Sequence, residues 1–165
     1  MIKELALAQV QQARTYTNGL LARIPHSEWL RLPPGGVSNV AWQVGHLAMA
    51  QYRLCLDRIR GPQPDDDSLV SASFLARYGR GSTPSDDPAG NSPIQEIVAV
   101  FDRVHQRVFL ESAGWTDDDL QAATSQPHPY FSTKIDALWW CARHEMLHAG
   151  QIGLLRRLLG APPVW

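Results

Sequence analysis

The sequence predicts an all-α protein, an antiparallel four-helix bundle with a long connection between helices 2 and 3. Three observations support this fold class. Four long segments carry apolar residues at helical spacing, proline and glycine residues separate these segments, and no segment shows the alternating pattern of a half-buried strand. With 165 residues the chain has the length of one domain. We therefore expect residues 1–165 to form a single bundle domain.

The first predicted helix covers residues 2–24, where Val10, Ala13 and Leu20 mark one apolar face. Pro25 ends this helix, because proline cannot continue the hydrogen-bond ladder. Residues 26–37 are rich in proline and glycine and predict a connection with one short turn. His26 and Trp29 of this turn are expected to be exposed.

The second predicted helix covers residues 38–60, with Ser38 as its N-cap and a Gly-Pro pair after its end. Apolar residues surround most of its circumference, which indicates packing on several sides. Residues 61–91 form a long connection, and connections of this length are usually functional or mobile. Within it, residues 69–78 predict a short docked helix, and the acidic triplet at residues 65–67 predicts a solvated loop.

The third predicted helix opens with Ser92 as N-cap, a first-turn proline and a capping-box glutamine, and it ends at Gly114. A single capped turn begins at Thr116, and a proline-containing connection without a strand pattern follows. The last helix covers residues 135–159, with Thr133 or the serine before it as N-cap. This last helix carries the strongest functional signal of the chain.

Composition excludes several classes of function. The net charge is −1, from 15 basic and 16 acidic residues in no long block of one sign, so nothing attracts nucleic acid or an anionic membrane. No apolar segment has the length of a transmembrane helix, and the first residues begin an amphipathic pattern instead of a secretion signal. Cys55 and Cys141 lie in apolar helical segments, where buried free thiols are expected. We expect a cytoplasmic protein.

His144 and His148 lie four residues apart in the last helix. Side chains at this spacing differ by about 40° in direction and roughly 6 Å in height, so both can bind one metal ion. The segment also matches the H-E-x-x-H pattern of zinc proteases, with Glu145 in the place of the general base. Such proteases need a third ligand that usually lies downstream, and no residue after His148 is His, Asp, Glu or Cys. The sequence therefore argues against a zincin protease.

The expected third ligand is His46, which lies in the middle of the other helix that is apolar almost all round. Helical bundles build metal sites between facing helices. Three imidazoles, from His46, His144 and His148, would leave further positions of the ion open, as in catalytic sites. The alternative is that the histidines are core residues hydrogen-bonded to neighbouring helices, since an unpaired buried polar group costs about 1–3 kcal/mol.

Four further residues are candidates for roles near this site. Cys141 shares the face of the two helix-borne histidines and is either an additional donor or a packed free thiol, whereas Cys55 is expected to point away from His46. Glu145 is expected to orient a ligand imidazole, pair with an arginine or face solvent. His105 flanks the buried stripe of the third helix and is either a helix-face residue or a partner of a ligand.

Two motifs carry a family resemblance: Ser-Asn-Val-Ala-Trp-Gln-Val-Gly-His-Leu at residues 38–47 and His-Glu-Met-Leu-His-Ala-Gly-Gln-Ile at residues 144–152. With these motifs the sequence resembles the DinB-like superfamily of small bacterial metal-binding bundles. Residues 74–79, with Phe74 and Arg-Tyr-Gly, and the ending at residues 155–163 are also similar. Together these stretches follow the family order over almost the whole chain.

The resemblance implies a four-helix bundle in which His46, His144 and His148 hold a zinc or nickel ion, often within a homodimer. Several relatives are metal-dependent transferases or isomerases that use a low-molecular-weight thiol such as mycothiol, bacillithiol or glutathione. Some of them place a carboxylate at the position of His144, so the all-histidine set resembles a less characterised branch. The implied reaction transfers a thiol to a small electrophilic substrate, and hydrolysis by an activated water is open as well.

Trp42, Arg53 and Trp140 are the residues expected to line the substrate pocket. Arg53 lies two helical turns from His46 on the same side, where it could bind a carboxylate of the thiol or substrate. A surface or interhelical salt bridge is the alternative for this arginine. The alternative to an enzyme is a non-catalytic metal-binding or dimerisation module, in which the metal stabilises the bundle.

Overall fold

The computed structural model describes residues 1–164, and the chain is mostly helical with one small two-stranded sheet. In chain order the elements are α1 (Ile2–Leu21), α2 (Val40–Tyr52), α3 (Arg58–Arg60), α4 (Asp66–Leu69), α5 (Ala72–Arg77), α6 (Ile94–Ser112), α7 (Asp117–Gln121), β1 (Ala123–His128), β2 (Phe131–Thr133) and α8 (Lys134–Leu158). A π-helical segment, Arg53–Asp57, joins α2 to α3, so that the three form one continuous helical stretch.

The prediction for the end of the first helix was three residues too long. α1 ends at Leu21, because the amides of Arg23 and Ile24 bond to carbonyls only three residues back and tighten the chain. The turn after it, His26–Glu28, does not expose both aromatic residues as expected. Trp29 is buried, and its indole nitrogen donates to the Ile24 carbonyl at 3.2 Å.

Two of the predicted helix caps were wrong. Asn39 caps α2 by accepting from the Trp42 amide at 2.9 Å, while the hydroxyl of Ser38 accepts from Gln43. α6 begins after Pro93 with no side-chain cap, and the Ser92 hydroxyl accepts from Arg77 at 3.2 Å instead.

The predictions for the two later caps are confirmed. Thr116 caps α7 within a full capping box, and Thr133 caps α8 by accepting from the Asp136 amide. Both threonines precede an acidic residue three positions on, which places negative charge in the first turn of the helix.

Side-chain contacts give the directions of the four long helices. α1 runs antiparallel to α6, α2 runs antiparallel to α8, and α2 runs parallel to α6, so α1 and α8 are also parallel. For α1 and α6 the contacts are Lys3 to Ser112 and Arg14 to Phe101. For α2 and α8 they are Gln43 to His148 and, just beyond the end of α2, Cys55 to Cys141. For α2 and α6 they are Gln51 to His105 and, in α3, Arg60 to Glu111. The chain order is therefore up, down, down, up.

This order explains the long connection between α2 and α6. Because α2 and α6 are parallel, the chain must run back along the whole helical stretch from Val40 to Arg60 before α6 begins. This stretch is about 30 Å long at 1.5 Å per residue. Two short helices, α4 and α5, occupy this path, and Phe74 and Tyr78 pack their rings into the core. The helix predicted within residues 69–78 is present as α5, and α4 is an additional turn that was not predicted.

The acidic triplet of this connection was predicted to be solvated throughout, and this was wrong for Asp66. Its carboxylate is buried and accepts from Arg60 at 2.7 Å, from the Tyr52 hydroxyl at 2.9 Å and from the Gln63 amide at 2.8 Å. Three donors replace the water that the carboxylate loses, so its burial is compensated. The side chain fixes the start of the connection to the end of α2.

The prediction that the last connection contains no strand was also wrong. β1 and β2 form an antiparallel hairpin with an irregular register, and His128 pairs with Phe131 at its tip. The hairpin is tied to the π segment, because Ser125 donates to the Asp57 carbonyl at 2.8 Å and Gln126 donates to the Asp57 carboxylate at 3.3 Å. Its strands are mostly exposed, so they lack the alternating apolar pattern that predicts a strand.

The core lies between the long helices, where apolar side chains from all four are fully buried. Examples are Val10, Val44, Leu47, Phe101, Val104, Leu138 and Ile152. Among residues 1–164, even the longest helix lacks the apolar length that crossing a membrane requires.

Candidate metal centre

His46 on α2 and His144 and His148 on α8 converge at one point between the two helices. One nitrogen from each ring lies within 4.8 Å of the other two, and in residues 1–164 no other set of three His, Cys, Asp or Glu side chains meets this geometry. The ring centroids are 4.5 Å apart for His144 and His148, 4.7 Å for His46 and His148, and 5.3 Å for His46 and His144. The structure thus brings together the three residues predicted as ligands.

A carbonyl group of the long connection orients His46. Its Nδ1 lies 2.8 Å from the Tyr78 carbonyl oxygen, which can only accept, so Nδ1 carries the proton and Nε2 keeps its lone pair. Tyr78 can pack this close to α2 because Gly45 has no side chain. A Cβ at position 45 would lie 2.5 Å from ring atoms of Tyr78. On the other side, the Trp42 ring stacks on the imidazole at 4.7 Å.

A glutamine orients His148 in the same way. The Nδ1 atom of His148 lies 2.5 Å from Gln43 Oε1. The Nε2 atom of Gln43 donates to Ser38 at 2.8 Å and to Gln151 at 2.9 Å, so its oxygen is the atom left to accept from the imidazole. His148 therefore also presents Nε2, unprotonated, to the centre.

Burial keeps these imidazoles neutral. It lowers the pKa of His144 to about 4 and that of His148 to about 3, and the charges of the neighbouring histidines lower both further. Burial also lowers the pKa of His46. Neutral imidazole is the form that binds metal ions. Three converging neutral nitrogens suit a divalent cation such as zinc, nickel, copper or iron, so the donor set fits a metal ion.

Glu145 does not face the three histidines. It is buried, and its carboxylate forms an ion pair with Arg14 at 2.9 Å. Arg14 also donates to Gln51 at 2.7 Å and to the Phe101 carbonyl at 2.9 Å, and its guanidinium lies over the Phe101 ring. Of the three roles considered for Glu145, the structure has the pairing with an arginine. A carboxylate held in this way cannot be the general base of a zinc protease.

His105 is a core-edge residue that extends the same network. Its Nδ1 lies 3.1 Å from Gln51, and its Nε2 lies 3.1 Å from Gln11. Burial lowers its pKa to about 3, and the charge of Arg14 contributes. His105 is thus linked to α8 through Gln51, Arg14 and Glu145, and it does not contact any of the three converging imidazoles.

The two cysteines contact each other between the π segment and α8. Both are buried, and burial, with a further contribution from the neighbouring Cys141 thiol, raises the pKa of Cys55. Cys141 lies outside the converging set. Cys55 was expected to point away from the site, but it faces α8, because the π turn changes the phase of the helix between His46 and this residue.

The residues expected to line the pocket lie in different places. Trp42 is beside His46, and its indole nitrogen donates to Ser82 at 2.9 Å. Arg53 is exposed, and no ion pair joins it to an acidic residue in the described part of the chain, which leaves the predicted salt bridge without support. Trp140 lies one turn before His144 under the hairpin, stacked on Tyr130 at 4.7 Å.

Three features of the site were missed from the sequence. Gln43 and Tyr78 hold the imidazoles, and His128 of the hairpin lies near the site, 6.0 Å from Trp140 and close enough to lower the pKa of His144. Only Gln43 had a signal, because it lies three residues before His46 on the same helix. A carbonyl from a connection and a histidine on an exposed hairpin have none.

Comparison with known families agrees with this geometry. The sequence profile of the DinB superfamily matches residues 9–152, which include all three histidines of the centre. No curated protein matches the chain significantly.

Proposed function

Because the chain belongs to the DinB superfamily, we propose that it is an enzyme that uses one divalent metal ion to activate a thiol for transfer to a small electrophilic substrate. His46, His144 and His148 would hold the ion, with zinc or nickel favoured by the family. The four-helix bundle typical of that family is part of the same proposal.

One observation carries the proposal: two of the three imidazoles are held through Nδ1 so that Nε2 faces the centre. Hydrogen bonds of this kind fix the tautomer and orientation of metal-binding histidines. Nε2 of His46 and of His148 has no protein partner among the described residues and is not fully buried, so both lone pairs are open to a ligand at the centre. A cation bound there would take up both.

Three protein ligands suit an open site. A bound ion would lower the pKa of a thiol or a water molecule at the remaining position, so that a nucleophile forms near neutral pH. Trp42 covers one side of His46, and the hairpin with Trp140 borders the other end of the site. A substrate at the open position would lie between these aromatic side chains.

A non-catalytic metal-binding module is the second candidate. The metal would then brace α2 against α8, the two helices that carry the histidines. Chelation would lower the melting temperature strongly, because a ligand bound only by the folded state stabilises it by mass action. The absence of turnover across a panel of thiols and electrophiles would favour this module.

The proposal includes a homodimer and a cytoplasmic location. Apolar side chains on the outer face of α8 are exposed, among them Met146, Leu147 and Leu154, and a groove of about 850 Å³ lies beside them against α1. A second copy would cover this face, since exposed apolar patches commonly mark protein contacts.

The first test is the metal content of purified protein, with His148→Ala as the key variant. We expect one ion per chain in the wild type and almost none in the variant, by elemental analysis. His26→Ala is the matched control, because His26 lies in an exposed turn. Equal metal content in the wild type and in His148→Ala would contradict the proposed site. Turnover with thiols and electrophiles then separates the enzyme from the module.

A further inference from the structure

Arg53, directly after α2, and Arg58, at the start of α3, form no ion pair with a carboxylate in residues 1–164. Arg53 opens the π segment and is exposed, and its guanidinium makes no hydrogen bond or ion pair within the described chain. Arg58 follows at the start of α3 and is half-buried. In contrast, Arg14 and Arg60 are held by buried or half-buried acids. Neither Arg53 nor Arg58 forms an ion pair with an acidic side chain of the described residues, although the charge of Asp57 acts on Arg58.

Arg53 is placed to reach toward the histidines. It follows His46 by seven residues, which is two helical turns and about 10 Å along the axis. Helical side chains lean toward the N-terminus of their helix, so the Arg53 side chain leans back toward His46. Its charge acts on His46, whose pKa is lowered mainly by burial and further by Arg53.

Arg58 lies behind Arg53 and has an unused donor. Its Nη1 donates to the Arg53 carbonyl at 3.4 Å, and its Nε is buried without a hydrogen-bond partner in the described chain. The neighbouring carboxylate of Asp57 is engaged by Gln126 of the hairpin. Burial lowers the pKa of His128 in the hairpin and the charge of Arg58 lowers it further, so Arg58 lies close to the hairpin that borders the site.

We propose that Arg53 and Arg58 form a basic rim that binds the carboxylate of a small anionic substrate, while the other end of that substrate reaches the three-histidine centre. This inference rests on the proposed function and names its substrate class. The planar guanidinium offers paired donors that match a carboxylate, and a charge-assisted pair of this kind is stronger than a neutral hydrogen bond.

The spacing limits the size of the substrate. The axial separation of about 10 Å between Arg53 and His46 must accommodate the carboxylate and its hydrogen bonds at one end and the donor atom at the other, so a short substrate is expected. The carboxylate can belong to the thiol or to the electrophile. Both cases share the same chemistry at the rim, and the test distinguishes them.

The test uses protein loaded with Co²⁺, whose absorbance reports on what binds at the open position. One arm compares 3-mercaptopropionate with 2-mercaptoethanol, two thiols of similar length that differ in the carboxylate. The other arm compares glutarate with butyrate, which differ in a second carboxylate and carry no thiol. Each titration is repeated with Arg53→Gln, with Arg58→Gln and with Arg23→Gln, an exposed arginine after α1 that serves as the charge-matched control.

The expected result is a preference of about tenfold for the anionic member of at least one pair, since a hydrogen bond to a charged group is worth about one factor of ten. Arg53→Gln should abolish this preference, Arg58→Gln should reduce it, and Arg23→Gln should leave it unchanged. A preference in the thiol arm places the carboxylate on the thiol. A preference in the glutarate arm alone places it on the second substrate.

Equal binding of both members of each pair in the wild type would overturn the basic rim. A preference that survives Arg53→Gln would do the same. Failure of the proposed thiol chemistry looks different: no thiol would then change the Co²⁺ spectrum, while an Arg53-dependent preference for glutarate would still support the rim. Circular dichroism spectra and melting curves of each variant verify that the fold is intact.

Discussion

Replacing Gln43 with leucine tests how the site is held together. Gln43 is buried, and its oxygen accepts from Nδ1 of His148 while its nitrogen donates to Ser38 and Gln151. Leucine has a similar volume but cannot accept, so His148 loses the bond that fixes its tautomer and orientation. We expect metal affinity to fall about 10- to 100-fold, which corresponds to about 1.4–2.8 kcal/mol.

The measurement is a competition titration of metal-free protein against a chromophoric chelator. Gln151→Leu is the matched control, because Gln151 is exposed and contacts the histidine only through Gln43. Its expected effect on metal affinity is less than about threefold. Urea unfolding in the presence of a chelator separates the loss of affinity from a loss of stability, since Gln43→Leu also leaves polar partners unpaired at a cost of about 1–3 kcal/mol.

Two outcomes would refute this reasoning. If Gln43→Leu bound the ion within threefold of the wild type while remaining folded, the hydrogen bond to His148 would not control metal binding. If Gln151→Leu weakened binding as much as Gln43→Leu, the effect would come from general disturbance of the helix surface.

Arg14→Met should lower the free energy of unfolding by about 3–5 kcal/mol in urea titrations, because it leaves the carboxylate of Glu145 buried without its partner; a loss below 1 kcal/mol would contradict this. Gly45→Ala should force the Tyr78 ring outward at a cost of about 1–3 kcal/mol and weaken metal binding, whereas Gly150→Ala, with open space around its Cβ, should not destabilise the protein. In metal-free protein, the pKa values of His144 and His148 are lower in the folded state than in the unfolded chain. Below pH 6.5 these two histidines therefore take up protons in the unfolded chain but not in the folded protein, so the free energy of unfolding should fall as pH falls toward about 4. For the same reason the metal should stay bound at about pH 5 and leave near pH 4 in equilibrium dialysis, and its release near pH 6 would contradict the burial of the site.

The elements that carry the histidines were predictable, because their signals are local. Spacing of four residues on α8 and an apolar surround on α2 identify His144, His148 and His46 as candidates, and the structure brings them together. Helix propensity and apolar periodicity also located the long helices to within a few residues. Such patterns depend only on residues close in sequence.

What sequence reasoning missed depends on contacts between distant residues. The Tyr78 carbonyl reaches His46 across 32 positions, and a carbonyl group gives no signal in the residue type. Asp66 belongs to an acidic segment whose composition predicts a solvated loop. Its carboxylate is nevertheless buried, with hydrogen bonds from Arg60 and Tyr52. The hairpin at residues 123–133 lies on the surface, so it needs no apolar alternation to be stable where it is tied to Asp57.

The pairing of α2 with α8 has a consequence for how the protein folds. His46 and His144 are 98 positions apart in sequence, so the cation site cannot exist until α8 docks on α2. Contacts of such long sequence separation form late and slow the search for the native state. An ion present during refolding would therefore act after most of the chain has collapsed, slowing unfolding more than it accelerates folding.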